Sequence, residues 1–451
     1  MQMRDMELSD AVRDLIALLE AAGHECYVVG GCVRDWLLSR PDHDVDLATS
    51  ATCDEVHRAL DGTAFRVFDT GVEHGTVTVV SGTEIVEVTT YRVDGTYSDH
   101  RHPDSVAFTT RIEDDLARRD FTINAMAYHP ERGLLDPFGG QADLERRVIR
   151  CVGDPDERFS EDALRLLRAV RFASQLSCTL EPATSEALFA RRAMLADVSA
   201  ERIARELCGF ACGADIHRAL LDYVSVIGVV VPELLPLQGF DQHNRYHAYS
   251  LLEHTAIAMS HVAAEPVLRM TMMLHDIGKP ETFVLDENGR GHCQGHPEAG
   301  ARMAERIMKR LRFSREFSNR VVTLVRNHEA GLQATRRNVR RWLGRLGVDT
   351  MRDLLQVKRA DVSALATPAH EWLPLFDDME YLMNELLDEH ACFSLRDLAI
   401  GGDDLKALGM RPGPAMGQLL DRLLDEVIDE RVPNEHRALE QRARELIRTA
   451  D

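Results

Sequence analysis

Two patterns in the 451-residue chain predict an α/β head followed by an all-α remainder. Residues 76–80 and 84–90 alternate with period two and are rich in β-branched side chains, as half-buried strands are. From about Phe159 onward, apolar residues recur instead at spacings of three and four, the mark of amphipathic helices. The character of the chain therefore changes near residue 155.

Taken in order, residues 11–22 carry helical periodicity, and residues 25–29 read as a strand running into Gly30-Gly31. The two alternating segments are joined by a Ser81-Gly82 turn and should pair. Helices are predicted over 164–172, 203–210, 251–259 and 267–274. The polar stretch 238–247 and the proline-bearing stretch 368–374 mark joints. The length allows about three domains. The expected division is a head at 1–150, a helical neck at 151–235, a body at 236–365 and a helical tail at 366–451.

Composition narrows the function. Apolar residues make up 45% and charged residues 28%, which fits a globular protein and excludes disorder, collagen and a coiled-coil rod. The formal charge of −21 argues against coating nucleic acid over the whole surface. It leaves room for local basic patches, of which Arg336, Arg337, Arg340, Arg341 and Arg345 form the densest. Lys309, Arg310, Arg312 and Arg315 form the next. The best apolar run, 224–231, holds Ser225 and Gly228 and stops at Pro232, well short of a membrane span. The polar, acidic N-terminus does not read as a secretory signal. Nine cysteines without framework spacing point to reduced thiols and a cytoplasmic protein. Cys208 and Cys212 read as small buried apolar residues.

Gly30-Gly31-Cys32-Val33-Arg34-Asp35 follows the first strand. Its glycines allow backbone N–H groups to approach a triphosphate, and Arg34 adds charge. Ten residues on comes Asp44-Val45-Asp46, where the period of a strand puts both carboxylates on one face. Two carboxylates that close repel unless a divalent cation sits between them, and Mg²⁺ is commonly held by one or two carboxylates plus substrate phosphates. A third carboxylate is expected from a neighbouring strand; Glu87 is the choice and Glu84 the alternative.

Arg118-Arg119-Asp120 precedes an apolar run, and adjacent arginines suit phosphate oxygens. The segment from Glu161 to Phe172 is apolar on most sides of a helix, yet carries Asp162, Arg165, Arg168 and Arg171. Buried arginines need partners, and a nucleotide would supply one. On a single helix Asp162, Arg165 and Arg168 would span an arc of about 120°.

In this order the motifs GGCVRD, DVD, RRDFTINAMAY and EDALRLLRAVRFA resemble the class II tRNA nucleotidyltransferases, the CCA-adding enzymes, and the similar bacterial poly(A) polymerases. The resemblance covers about residues 24–215. It implies a nucleotidyltransferase head with a polymerase-β-like mixed sheet. It also implies Mg²⁺ on Asp44 and Asp46, the triphosphate at Gly31, Arg34 and Arg119, and base reading by Asp162 and Arg165, with Arg168 and Arg171 supporting that pocket. Residues 91–103 look like the family's flexible loop, which enzymes adding only the two cytidines lack.

Further on, His254, His275-Asp276, His296 and His328 occur on separate helical segments, a donor set suited to a divalent metal. The run resembles the HD superfamily, in which a later Asp also binds metal; Asp361 is the match. The resemblance implies phosphodiesterase or phosphatase chemistry on tRNA ends, with a transition metal or Mg²⁺. The expectation is therefore a cytoplasmic enzyme that builds the 3′ CCA end of tRNA from CTP and ATP, using two Mg²⁺ ions about 4 Å apart. An A-adding enzyme or poly(A) polymerase is the near alternative. A regulatory nucleotidyltransferase–HD signalling protein is the distant one.

Overall fold

The computed structural model describes residues 5–40, 44–95, 106–243 and 249–449. The chain forms two compact units, Met1–Asp215 with Asp222–Pro232, and Ile216–Leu221 with Glu233–Asp451. Residues 1–150 and most of 151–235 fall in the first unit, and residues 236–451 in the second.

A seven-stranded mixed sheet organises the first unit. Its strands are β1 (Cys26–Val29), β2 (Asp46–Thr49), β3 (Arg66–Gly71), β4 (Thr76–Ser81), β5 (Glu84–Thr90), β6 (Ala127–His129) and β7 (Gly133–Leu135). Their order is β3-β4-β5-β2-β1-β6-β7, with β2 and β5 parallel and the other neighbours antiparallel. The β4–β5 hairpin turns at Gly82 and Thr83, one residue beyond the expected Ser81-Gly82, since Ser81 still pairs with Glu84; Gly82 has φ +60. β1 and the inner half of β2 are buried, so their side chains are almost all apolar. Tyr27, Val29, Ala48 and Ala127 pack with Tyr91, Ile112 and Leu116 into one core cluster. That packing fixes the strand ends from which the polar residues project.

Beyond the sheet, helices Pro155–Glu161, Leu164–Leu176, Pro182–Arg191 and Ala200–Ala211 complete the unit. The all-helical expectation needs two corrections. Val148–Ile149 pairs in parallel with Thr179–Leu180, and Val284–Leu285 pairs with Gly291–His292 in the second unit. Two-residue strands are too short to leave a period in the sequence.

The second unit is helical, with Leu251–His261, Pro266–Leu274, His296–Arg310, Arg315–Asn327 and Val348–Ser363 around its centre. Its last helices, Gly402–Ala407, Pro414–Ile428 and His436–Arg448, share a core of their own around Leu405, Leu423 and Leu439. No helix among the described residues is long and apolar enough to cross a membrane.

Candidate active site

Asp46 opens β2 and stands in register between Val29 on β1 and Glu87 on β5. Register neighbours project to the same face of a sheet, so the Asp46 and Glu87 carboxylates lie side by side. Burial raises the Asp46 carboxyl to about 6; the charge of Glu87 and, less strongly, that of Asp44 add to this, while Arg119 opposes it. A carboxylate in that condition favours a cation, and the donor set of carboxylate oxygens suits Mg²⁺. Asp44 corrects the one-strand reading, because β2 begins only at Asp46 and Asp44 lies exposed before it. The three carboxylates do not draw together into a closed set as the histidines below do. Glu84 accepts a hydrogen bond from Ser9 Oγ at 2.6 Å, away from Glu87 along the hairpin.

Gly30 has φ +82, a conformation glycine adopts without strain. A Cβ there would sit 3.2 Å from an Arg119 nitrogen and 4.0 Å from Asp46 Oδ2. The bare backbone thus lets the Arg119 guanidinium and the Asp46 carboxylate crowd together above Gly30. Arg34 is fixed from both sides: it donates to both Asp35 oxygens at 3.0 and 2.8 Å and to Asn124 Oδ1 at 2.7 Å. Gly30, Gly31, Arg34, Asp46 and Arg119 line one cavity of about 470 Å³ together with Asp162, Arg165, Arg168 and Arg171.

Asp162 does not lie on the arginine-bearing helix. Pro155–Glu161 ends just before it, Asp162 is extended, and the next helix starts at Leu164. Its Oδ1 accepts from the Leu164 N–H at 3.0 Å, which competes with continuing the helix through this point. Its other oxygen accepts from Arg202 at 2.6 Å. Arg165 pairs with Glu161 and donates to the carbonyls of Arg158 and Arg118, both at 3.1 Å. Asp162 and Arg165 therefore share the cavity, each held by other residues.

The expectation that a nucleotide must neutralise the arginines is also corrected. Arg168 pairs with Asp120 at 2.7 Å and Arg171 with Glu206 at 2.6 Å. Burial disfavours an ionised Asp120, but Arg168, followed by Asn124, holds its carboxyl down at about 2. The guanidiniums of Arg34, Arg168 and Arg171 lie over the Phe172 ring at 4.1 to 5.3 Å from its centre. Residues 96–103 of the expected loop lie outside the described residues.

In the second unit, His254, His275 and Asp276 form one potential metal-ligand set, and Asp276, His296 and His328 form another. His275, His296 and His328 donate through Nδ1 to the carbonyls of Met272, Cys293 and Val325 at 2.7 to 2.8 Å. Those bonds turn each Nε2 toward the centre. Asp361 lies 3.0 Å from His254 and 3.7 Å from His275. The buried Asp276 carboxylate is ringed by nitrogens: His296 lies 3.2 Å from one oxygen, and His275 at 3.2 Å and Lys279 at 2.7 Å from the other. Buried histidines converging on a buried carboxylate fit a divalent cation.

The profile of the poly A polymerase head domain matches residues 26–150, and that of a putative tRNA nucleotidyltransferase domain 2 matches residues 298–443. The CCA-adding enzyme of Lactobacillus delbrueckii subsp. bulgaricus is 47% identical over 223 residues. That stretch covers 49% of this chain and 55% of the relative, so this alignment spans about half of that protein. The CCA-adding enzyme of Lacticaseibacillus paracasei is 34% identical across 94% of this chain and 93% of its own length. The chain belongs to the CCA-adding enzyme family. The crystal structure of the Bacillus stearothermophilus CCA-adding enzyme in complex with CTP superimposes with a TM-score of 0.72 at 27% identity, covering 98% of this chain and 99% of that one.

In this CCA-adding enzyme family member, the denser of the two expected basic patches is largely spent on internal pairs. Arg336 pairs with Glu385 and Glu389, Arg337 and Arg341 with Asp429, and Arg340 with Glu430. Arg310 is held by Glu233 at 2.8 Å. Sequence reasoning also passed over Asp115, Asn124, Phe172, Arg202, Glu206 and Lys279. Asn124 and Lys279 did carry a signal, since each lies three or four residues from an acid it now contacts.

Proposed function

We propose that the first unit adds cytidine and adenosine residues from CTP and ATP to the 3′ end of tRNA, completing the CCA sequence. The observation that carries this reading is the single cavity lined by Asp46, by Arg34 and Arg119, and by Asp162 and Arg165. Asp46, Glu87 and Asp44 would hold divalent cations, Mg²⁺ by the chemistry of the donors. When bound, these supply charge stabilisation and a more nucleophilic 3′-hydroxyl. Arg34 and Arg119, with the Gly30-Gly31 backbone, grip the triphosphate and balance the charge of the departing pyrophosphate. Asp162 accepts from the exocyclic amine of the base, and Arg165 donates to the ring nitrogen beside it. Arg168 and Arg171 support that pocket through Phe172. Acting on tRNA, the protein would work in the cytoplasm.

The test is incubation of tRNA lacking CCA with CTP alone, ATP alone and both, followed by sequencing of the ends. Ordered C, C and A supports the proposal. Addition of A only to tRNA ending in CC, or long A tails, supports the A-adding or polymerase alternative. Transfer to protein rather than RNA supports the signalling alternative.

The convergence of buried histidines on the buried Asp276 favours a second, separate reading for the other unit. His254, His275, Asp276, His296, His328 and Asp361 would hold divalent metal, a transition ion or Mg²⁺, at which a phosphoester is hydrolysed. Metal analysis of the purified protein with and without His275→Ala tests the site, and release of phosphate from nucleotide esters tests the chemistry.

A further inference from the structure

Asp115 lies at zero exposure in helix Ile112–Ala117, one turn before Arg118 and Arg119. One of its oxygens accepts from Arg118 Nε at 2.9 Å and from an Arg118 terminal nitrogen at 2.7 Å. The other lies 3.2 Å from Arg119, which thus pairs with Asp115 and not with Asp46. The backbone N–H of Arg92 also reaches Asp115, at 3.4 Å. Arg119 continues to the Asn124 carbonyl at 3.4 Å and ends beside Gly30. The Arg118 carbonyl, in turn, accepts from Arg165. A single buried carboxylate therefore orders a phosphate-gripping arginine and, through one peptide, a base-reading arginine.

The charges explain why this anchor matters. Arg119 and Asp46 both approach the space above Gly30, 3.2 and 4.0 Å from where a Cβ there would sit. A guanidinium released from its anchor would move onto the nearest uncompensated carboxylates, Asp46 and Glu87. There it would compete with a divalent cation and would no longer face the triphosphate.

Resting on the transferase reading above, we propose that Asp115 is a positioning residue that keeps Arg119 on the triphosphate and off the metal-binding carboxylates. Its loss weakens nucleotide and Mg²⁺ together, without regard to the base.

The experiment compares the full-length protein with its Asp115→Asn variant, which keeps the volume and removes the charge. Steady-state addition to tRNA should show the KM for CTP and for ATP rising alike by about 10-fold, the scale of one charge-assisted hydrogen bond. The Mg²⁺ concentration for half-maximal rate should rise in step, while the KM for tRNA stays unchanged. Calorimetric binding of CTP with Mg²⁺ in the absence of tRNA should show the same loss. That measurement separates the two proposals, since wild-type protein that binds CTP yet extends no tRNA defeats the transferase reading alone. A folded Asp115→Asn protein with wild-type CTP affinity and Mg²⁺ dependence overturns the positioning role, and so does one that loses only thermal stability. If the single variant does not fold, Asp115→Asn with Arg118→Met removes the buried charge together with its half-buried partner. The same paired shifts are then expected, and wild-type values again overturn the proposal.

Discussion

Asp46→Asn should make the protein more stable while abolishing its proposed activity, and the size of both effects follows from the site. The folded state raises this carboxyl from the ordinary 3.8 to about 6. Because the raised value belongs to the fold, the group's stabilising contribution is complete below about pH 3.8 and is lost as pH rises through about 6. Taken at face value the shift is worth about 3 kcal/mol at neutral pH. Asp46 is exposed to the water of the cavity, and screening reduces the figure to about 1 kcal/mol. In chelator at pH 7.5 the Asn variant should therefore melt about 2–4 °C above wild type. The gap should close as pH falls toward 4, and added Mg²⁺ should narrow it by stabilising only the wild type. Losing a metal ligand should lower nucleotide addition by on the order of a thousandfold or more. Thermal unfolding with and without chelator and a tRNA-extension assay read the two effects. An Asn variant equal to or weaker than wild type in chelator at pH 7.5 refutes the electrostatic reasoning, and near-normal addition refutes the site.

Replacing Asp162 and Arg165 together by Ala should raise UTP and GTP incorporation relative to CTP and ATP, measured by end sequencing; unchanged discrimination in an active double mutant counts against base reading. The same change removes the contact to the Leu164 N–H, so a stability loss of about 0.5–2 kcal/mol should appear in denaturant melts. Arg337→Ala with Arg341→Ala should leave the salt dependence of tRNA binding within error, because both arginines are already matched by Asp429; a shallower slope would show that they touch phosphate. His275→Ala with Asp276→Ala should remove bound divalent metal and any phosphoesterase activity, as read by elemental analysis and phosphate release, while addition to tRNA persists; loss of both activities in a folded variant contradicts two separate sites.

Elements and the kinds of residue at each site were readable because they depend on local spacing. The β4–β5 hairpin announced itself by alternation and a Ser-Gly turn, and Glu87 could be chosen as a strand acid before its register beside Asp46 was visible. Partner choice was not readable, because it joins residues far apart in the chain. Arg171 meets Glu206, 35 residues away, and Arg337 meets Asp429, 92 residues away. A helix dense in arginine therefore reads as an RNA clamp until the acids that fold onto it are known. Asp162 failed for the opposite reason: the hydrogen bond it accepts from the Leu164 N–H is local, and it breaks a helix that apolar spacing alone carries through.

That break gives the proposed base reading its physical basis. On a continuous helix, an acid and an arginine three residues apart would tend to pair with each other and leave little for a nucleotide. Here Asp162 is tied by Arg202 and the Leu164 N–H, and Arg165 by Glu161 and two carbonyls, so neither satisfies the other. Each is oriented before the nucleotide arrives, which limits the entropy lost on binding. Cytosine and adenine both present an amine donor beside a ring-nitrogen acceptor, so one fixed acceptor and one fixed donor serve both bases. Uracil and guanine reverse that order and would set carbonyl against carboxylate and N–H against guanidinium. Sites built on such hydrogen bonds can discriminate by factors on the order of 10⁴. Arg202→Ala separates this reading from simple burial of charge. With its clamp gone, Asp162 should rotate, and discrimination should fall while the KM for tRNA holds. Discrimination that survives the loss of Arg202 would mean that the orientation of Asp162 does not depend on it.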